Sequence, residues 1–339
     1  MTAAKAMVVK LESGVRNTES GVPDPELKEV EVVTLRDRVQ TLLDSEEITQ
    51  SSLGREAGVS GSAVNQWLKS KYAGDNEALE RRLEMWFRQR ERREMATAKM
   101  PGVPEYVVTP TSLKVLAVLS YAQMAGDLAV IYGGAGVGKT RTLREYSRTN
   151  NNVWVTTIMP DSAGVVPCLE EISEAIGLRG LPGMGAARLR REVCRKIRDT
   201  HGLLIIDEAQ HLNQKALEEI RSLHDSTGTG VILCGNEMVY SRMAGNSRSA
   251  TFAQLFSRIG KRLRLNRPHP EDVLAMMDVF QVSGAKEREV LENIASKPGA
   301  LRGVVKTLRL AAMLAAGAAE ALTVKHLRSA WRDLAGEEA

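Results

Sequence analysis

The residues best placed to do chemistry form one short run, Gly133-Gly134-Ala135-Gly136-Val137-Gly138-Lys139-Thr140, which has the spacing G-x-x-x-x-G-K-[ST]. An apolar strand-like segment, LAVIY at 128–132, precedes it, and the helical RTLREYSR follows it. That is the strand–loop–helix setting the spacing requires. The glycines let the backbone curl so that successive N–H groups point into one hollow. The helix that starts near Lys139 aims its positive dipole end at the same place. Such a hollow binds phosphate oxygens. Residues 133–141, ending in Arg141, are therefore expected to hold a nucleoside triphosphate. Lys139 is expected to reach the β- and γ-phosphates, and the Thr140 hydroxyl to sit on Mg²⁺. ATP and Mg²⁺ are the expected cofactors.

A carboxylate pair follows downstream. Residues 203–206 (LLII) are apolar without interruption, as in a strand buried on both faces, and they end in Asp207-Glu208. At the C-terminal edge of a parallel sheet these side chains face the phosphate crevice. Asp207 is expected to hold Mg²⁺ through its coordinated water, and Glu208 to polarise the attacking water as general base. The string continues as DEAQHL; His211 has no metal-ligating partner nearby and reads as structural or as a relay. Asn236, at the tip of a second buried strand (230–234), is a candidate to orient the water, against the plainer reading of an Asn that supports a turn. Among Arg248, Arg258, Lys261, Arg262 and Arg264, one arginine could enter a neighbouring subunit's site. Arg258 is the first choice and Arg262 the second, the competing reading being ordinary surface arginines. Arg302, in the helix-starting GALR (299–302), could touch the nucleotide from a lid.

The elements that must position these groups follow from the pattern. Residues 1–32 are polar and read as an arm. Residues 33–94 form a compact helical module, and 95–110, with three prolines, a linker. Residues 111–266 alternate β-rich and helical stretches, the pattern of a parallel sheet covered by helices. Residues 267–339 show no strand and read as about four helices. The chain of 339 residues is 43% hydrophobic, 26% charged and 4% aromatic, enough for one ordinary domain with smaller additions. A net charge of +4 permits nucleic acid without demanding it. Three separated cysteines, Cys168, Cys194 and Cys234, argue against a disulfide framework or zinc site and for a reducing compartment. The N-terminus lacks the apolar core of a signal peptide. The most apolar tract, 310–319, is too short to span a bilayer and reads as a packed helix, so no membrane role is expected.

The N-terminal module has its own pattern. Residues 34–44 read as a first helix with Leu35, Val39, Leu42 and Leu43 on one face. Ser51 is expected to cap a second helix through Leu53 and Ala57, Gly58 to allow a left-handed turn, and Ser60 to cap a third, whose Val64, Trp67 and Leu68 face inward. Ser62, Asn65, Gln66 and Lys69 then face outward with Lys71 just beyond. This is helix-turn-helix spacing, and these residues are candidate DNA contacts. Gly54 stands where alanine is more usual and should cost only local helix stability. Arginines 81, 82, 88, 90, 92 and 93, with Glu84, Glu91 and Glu94 between them, are either a solvated face or a phosphate-contacting one. Arg188, Arg190 and Arg191, with Arg179, form a second basic stretch that could line a channel and track a DNA backbone.

GGAGVGKT, LLIIDEAQHL, ILCGN, FSRIGKR and GALR, in this order, resemble the AAA+ ATPases that serve transposons and some secretion systems. With a helix-turn-helix pattern before that core, the chain from about residue 34 onward resembles the transposition protein B family of Mu-like transposable phages. The fold class expected is an α/β P-loop NTPase (AAA+) core with a parallel sheet, an N-terminal helix-turn-helix module and a small helical C-terminal lid. The resemblance implies an ATPase that assembles on double-stranded DNA as a helical filament or ring of its own copies, with little sequence preference. It also implies delivery of that DNA to a transposase, which in turn stimulates hydrolysis, in the cytoplasm of a bacterial host. It carries roles onto Lys139 and Thr140 for nucleotide and Mg²⁺, Asp207 and Glu208 for hydrolysis, Asn236 as first sensor and Arg302 as second, and least definitely onto a finger arginine. Two other readings stay open: an ATPase of secretion or helicase-loading type, and a sequence-specific DNA-binding regulator switched by ATP.

Overall fold

The computed structural model describes residues 34–98, 104–179, 183–244 and 257–337. The expected arm, Arg248 and part of the linker lie outside them. The chain separates into two compact units, one through Glu91 and the other from Arg92 onward.

The first unit is helical. α1 (Leu35–Asp44) opens on a capping box: Thr34 Oγ1 accepts from Asp37 N–H at 3.2 Å, and Thr34 N–H donates to Asp37 Oδ2 at 2.9 Å. α2 (Gln50–Ala57) is capped by Thr49, whose Oγ1 accepts from Ser52 N–H at 3.1 Å, so the expected cap at Ser51 is wrong by two residues. Both are hydroxyl residues just before the apolar positions, and periodicity alone does not separate them. Gly58 is left-handed at φ 70°, and Ser60 caps α3 (Gly61–Leu68) by accepting from Ala63 N–H at 3.1 Å. α4 (Asn76–Ala98) runs into the stretch read as linker. Val39, Leu53, Val64, Trp67, Leu83 and Trp86 make the core. The two indoles stay satisfied: Trp67 Nε1 donates to Glu80 and Trp86 Nε1 to Glu56, at 2.9 and 3.0 Å, tying α3 and α2 to α4.

Gly54 corrects the expectation attached to it. A Cβ there would stand 2.7 Å from Gly61 N and 2.8 Å from the Val59 carbonyl oxygen. The absent side chain lets the backbones of α2 and the turn into α3 touch, so glycine is a packing requirement here rather than a local weakness.

The second unit holds a five-stranded, all-parallel sheet in the order β2-β3-β4-β1-β5, from β1 (Leu128–Gly133), β2 (Val153–Thr157), β3 (Leu203–Asp207), β4 (Gly230–Gly235) and β5 (Ile259–Leu265). β1, β3 and β4 are buried along their whole length because helices cover both faces. The period of two sorts their side chains. Leu128, Val130, Leu204, Ile206, Val231 and Leu233 pack under α7 (Val165–Ala175), α8 (Ala186–Ile197) and α9 (Gln214–Thr227). Ala129, Ile131, Leu203, Ile205, Ile232 and Cys234 pack under α5 (Pro110–Ala125) and α6 (Lys139–Thr149). β5 is an edge strand, and its exposed Arg262 and Arg264 discourage pairing with another chain.

After β5 come four helices, α11 (Pro270–Val279), α12 (Ala285–Ser296), α13 (Ala300–Ala318) and α14 (Val324–Ala335), around Leu291, Ile294, Val304, Leu308, Leu327 and Trp331. The apolar tract 310–319 falls in α13 up to Ala318, with Ala319 as its left-handed C-cap. Among the described residues no helix is long and apolar enough to cross a membrane.

Candidate nucleotide site

β1 ends at Gly133, and the chain reaches α6 through Gly133, Gly136 and Gly138 at φ 133°, 80° and 96°. L-residues rarely adopt these values, which is why the loop is built from glycine. Space forbids side chains too: a Cβ on Gly133 would stand 2.1 Å from the Leu265 carbonyl oxygen, and one on Gly136 2.0 Å from the Gly299 carbonyl oxygen. The loop thus lies directly against the residue that precedes α13. Lys139 Nζ donates to the carbonyls of Gly133 and Gly134 at 3.0 and 2.7 Å, bringing its charge over the loop.

Thr140, in the first turn of α6, donates its hydroxyl to Asp207 Oδ2 at 2.8 Å. Asp207 is 2% exposed, and its Oδ1 accepts from the Glu208 N–H at 3.0 Å. A hydroxyl and a carboxylate at this distance are two hard oxygen donors, the kind a small divalent cation takes from protein when phosphates and water supply the rest. Among the described residues there is no cluster of three or more His, Cys, Asp or Glu that could hold a metal by themselves. Glu208 follows in a left-handed conformation, φ 55°, and a 3₁₀ turn at Ala209–His211 carries Gln210 back to donate to its carboxylate. Cys234, behind the site on β4, has its thiol pushed well above its ordinary pKa, first by burial and then by the nearby Asp207 charge.

Lys139, Thr140, Asp207 and Glu208 line one cavity of about 720 Å³. The phosphate loop, Thr140, Asp207, Glu208 and Asn236 form one part of its wall. Residues 104–107, Met276 and Phe280 of α11, and Arg302, Lys306 and Arg309 of α13 line another part. Asn236 is at the cavity, but its Oδ1 accepts from Met238 N–H at 2.9 Å, at the entry to α10 (Glu237–Ala244). Arg302 is brought to the wall from the first turn of α13. Arg258 and Arg262 are not among the lining residues; Arg258 lies 3.4 Å from Asp225 on α9.

The candidate DNA contacts are spread over both units. Ser62, Gln66, Lys69 and Lys71 are exposed and Asn65 is half-buried. In the second unit Arg188 and Arg191 are exposed on α8, while Arg190 is tied to α9 through Ser222 at 3.1 Å and Glu219 at 3.7 Å. Along α4, Arg81 and Arg88 pair with Glu77 and Glu84 one turn earlier, Arg90 pairs with Glu47, and Arg82 donates to the Gly58 carbonyl. Much of that arginine run is thereby engaged within its own unit.

Sequence reasoning missed three contributors. Residues 104–107 lie inside the stretch read as linker, although the apolar pair Tyr106-Val107, half-buried at the cavity, is a signal of packing. Lys306 and Arg309 follow Arg302 at helical spacing and share its face. Gln210 was read only as part of a string.

A strand–glycine loop–helix whose Thr140 pairs with Asp207 at the tip of β3, two strands away from β1, in a five-stranded parallel sheet followed by a helical C-terminal region, defines a P-loop nucleotide-binding protein of the AAA class. The family described as "AAA domain" matches residues 123–243, and that described as "Mu B transposition protein, C terminal" matches residues 257–334. The ATP-dependent target DNA activator B of Escherichia phage Mu is 42% identical over 300 residues, covering 88% of this chain and 95% of that protein. The Mu-like prophage FluMu DNA transposition protein B of Haemophilus influenzae is 34% identical over 277 residues, 81% of this chain and 95% of that one. The chain belongs to the Mu transposition protein B family. Among solved structures, Cdc6p from Pyrobaculum aerophilum shares the fold, with a TM-score of 0.51 at 15% identity over 70% of each chain.

Proposed function

We propose that the protein is an ATP-hydrolysing, DNA-binding target activator that captures double-stranded DNA and presents it to a transposase. The observation that carries the enzymatic part is the 2.8 Å contact between Thr140 and Asp207 at the mouth of the glycine loop, with Glu208 on the same wall. The relatives' names, which specify ATP dependence and target DNA, support the rest.

Thr140 and Asp207 would hold Mg²⁺, which would supply charge neutralisation for the phosphates of bound ATP. Lys139 exchanges its two loop carbonyls for phosphate oxygens. Glu208 accepts a proton from the attacking water, and Asn236 stands at the same wall to orient that water. Arg302 brings positive charge from the lid onto the phosphates, and residues 104–107 with Met276 and Phe280 form the less polar end that suits a base. Arg258, outside the cavity of its own chain, is the first candidate to enter the site of a neighbouring copy, with Arg262 the second.

On the DNA side, Ser62, Asn65, Gln66, Lys69 and Lys71 form the candidate face of a helix-turn-helix in the first unit, and Arg188, Arg191 and the more constrained Arg190 a second patch. Lysines and arginines acting on phosphates give binding that is steep in salt and nearly indifferent to sequence. Assembly of copies into a filament on DNA, with ATP as the signal, would offer an arginine that does not line its own cavity a neighbouring site to enter.

Electron microscopy with DNA and either ATP or ADP is the deciding experiment, combined with salt-dependent binding to random DNA. Filaments with ATP and none with ADP, and a linear fall of log affinity with log salt, are expected. DNA binding indifferent to nucleotide would overturn the reading.

A further inference from the structure

Gln210 occupies a position that the hydrolysis scheme above leaves unused. Its Nε2 donates to Glu208 Oε2, and its Oε1 accepts the backbone N–H of Asn236 at 3.3 Å. One amide therefore spans from the carboxylate beyond β3 to the first residue past β4. The amide cannot be turned over without loss: reversed, it would set its oxygen against the carboxylate and its NH₂ against an N–H. The surroundings are built for it. The left-handed backbone at Glu208, φ 55°, starts the turn that returns Gln210 over the carboxylate. Gly235 leaves room for the amide, since a Cβ there would stand 2.2 Å from Gln210 Oε1 and 2.6 Å from Val239 Cγ2.

A glutamate at a site mouth has several rotamers, and only some put an oxygen within reach of a water near the γ-phosphate. We propose that Gln210 is a positioning residue for hydrolysis. It holds the Glu208 carboxylate in one orientation and makes that orientation depend on the β4 tip at Asn236. This rests on the ATPase reading given above. Displacement at the β4 tip is then transmitted through two hydrogen bonds to the general base, without any change in the phosphate loop.

The isosteric Gln210→Glu variant of the full chain keeps the shape, removes the donor and adds a like charge. Steady-state ATP hydrolysis with DNA, and binding of a fluorescent ATP analogue with Mg²⁺, are measured for wild type, Gln210→Glu, Gln210→Ala, Gly235→Ala, Glu208→Gln and the Gln210→Ala/Glu208→Gln double variant. Gln210→Glu and Gln210→Ala are expected to lower kcat by about tenfold or more. KM and analogue affinity should stay within about twofold, because the phosphate loop is untouched. Gly235→Ala should reproduce the loss by displacing the amide. The double variant should be no slower than Glu208→Gln alone, since Gln210 acts through that carboxylate. A Gln210→Glu enzyme with wild-type kcat would overturn the proposal, as would a further loss in the double variant or a parallel fall in affinity. If wild type binds the analogue but does not hydrolyse ATP, the ATPase reading falls first and takes this one with it.

Discussion

Thr111 and Asp272 join the core to the lid, although 161 residues separate them in sequence. The Thr111 N–H donates to Asp272 Oδ1 at 2.9 Å, its hydroxyl donates to Oδ2, and the His269 N–H donates to Oδ2 at 2.6 Å. Asp272 is 0% exposed and lies in the first turn of α11, whose Met276 and Phe280 line the cavity. Replacing Asp272 with Ala leaves these donors buried without an acceptor. A loss of about 3 kcal/mol is expected, read as a lower urea midpoint. Thr111→Val removes only the hydroxyl and should cost about 1 kcal/mol. Asp272→Ala within about 0.5 kcal/mol of wild type would show that this joint contributes little.

Gly54→Ala tests two opposing effects. In an ordinary helix interior the change gains up to about 1 kcal/mol. Here the new Cβ would stand 2.7 and 2.8 Å from backbone atoms of Gly61 and Val59. Backbone yields less readily than a side-chain tip, and overpacking costs about 1–3 kcal/mol. Net destabilisation is expected, visible as a lower melting temperature; a raised one would refute the close approach.

Lys139→Ala and Glu208→Gln should separate binding from chemistry. The first removes the cation held over the loop and is expected to abolish affinity for ATP and Mg²⁺ by calorimetry. The second leaves the Thr140–Asp207 pair intact and should bind ATP normally while hydrolysing it about 100-fold more slowly or worse. Normal turnover by Glu208→Gln would remove Glu208 from its role.

The three cysteines should differ in reactivity in the native state. Burial pushes the Cys168 thiol up to about 12, with Glu171 and Glu219 adding to the rise, and Cys234 also lies well above its ordinary value. A raised pKa means less thiolate at a given pH: at pH 8 a thiol of pKa 12 is about 10⁻⁴ ionised, against about a quarter at pKa 8.5. Cys194, half-buried, should be the first to react with a disulfide reagent at pH 8, and all three should react once the chain is unfolded. Fast modification of Cys234 in the folded protein would contradict its burial under α5 and α6.

The sheet and the phosphate loop were legible because their signals are local: an apolar run, fixed glycine spacing, and acidic residues at a strand tip. The helical character of residues 267–339 was legible because the segment offers no strand-like run. What escaped depends on contacts between distant segments. Nothing in the sequence around Asp272 announces Thr111. Gly54 looks like a weak helix residue until Gly61 is placed against it. Thr49 and Ser51 are equally good caps on paper, and only the start of α2 decides between them. Residues 104–107 have the composition of a spacer, with Pro101, Pro104 and Pro110 close together, and only the helices packed around the cavity give Tyr106 and Val107 a place in its wall.

The contact between Gly136 and the Gly299 carbonyl leaves no space for one additional carbon atom. A residue with a side chain at position 136 would therefore have to part the loop from the root of α13. That helix has 19 residues, roughly 28 Å of rigid rod. On a rod of that length a tilt of about ten degrees at the root would carry the far end through roughly 5 Å.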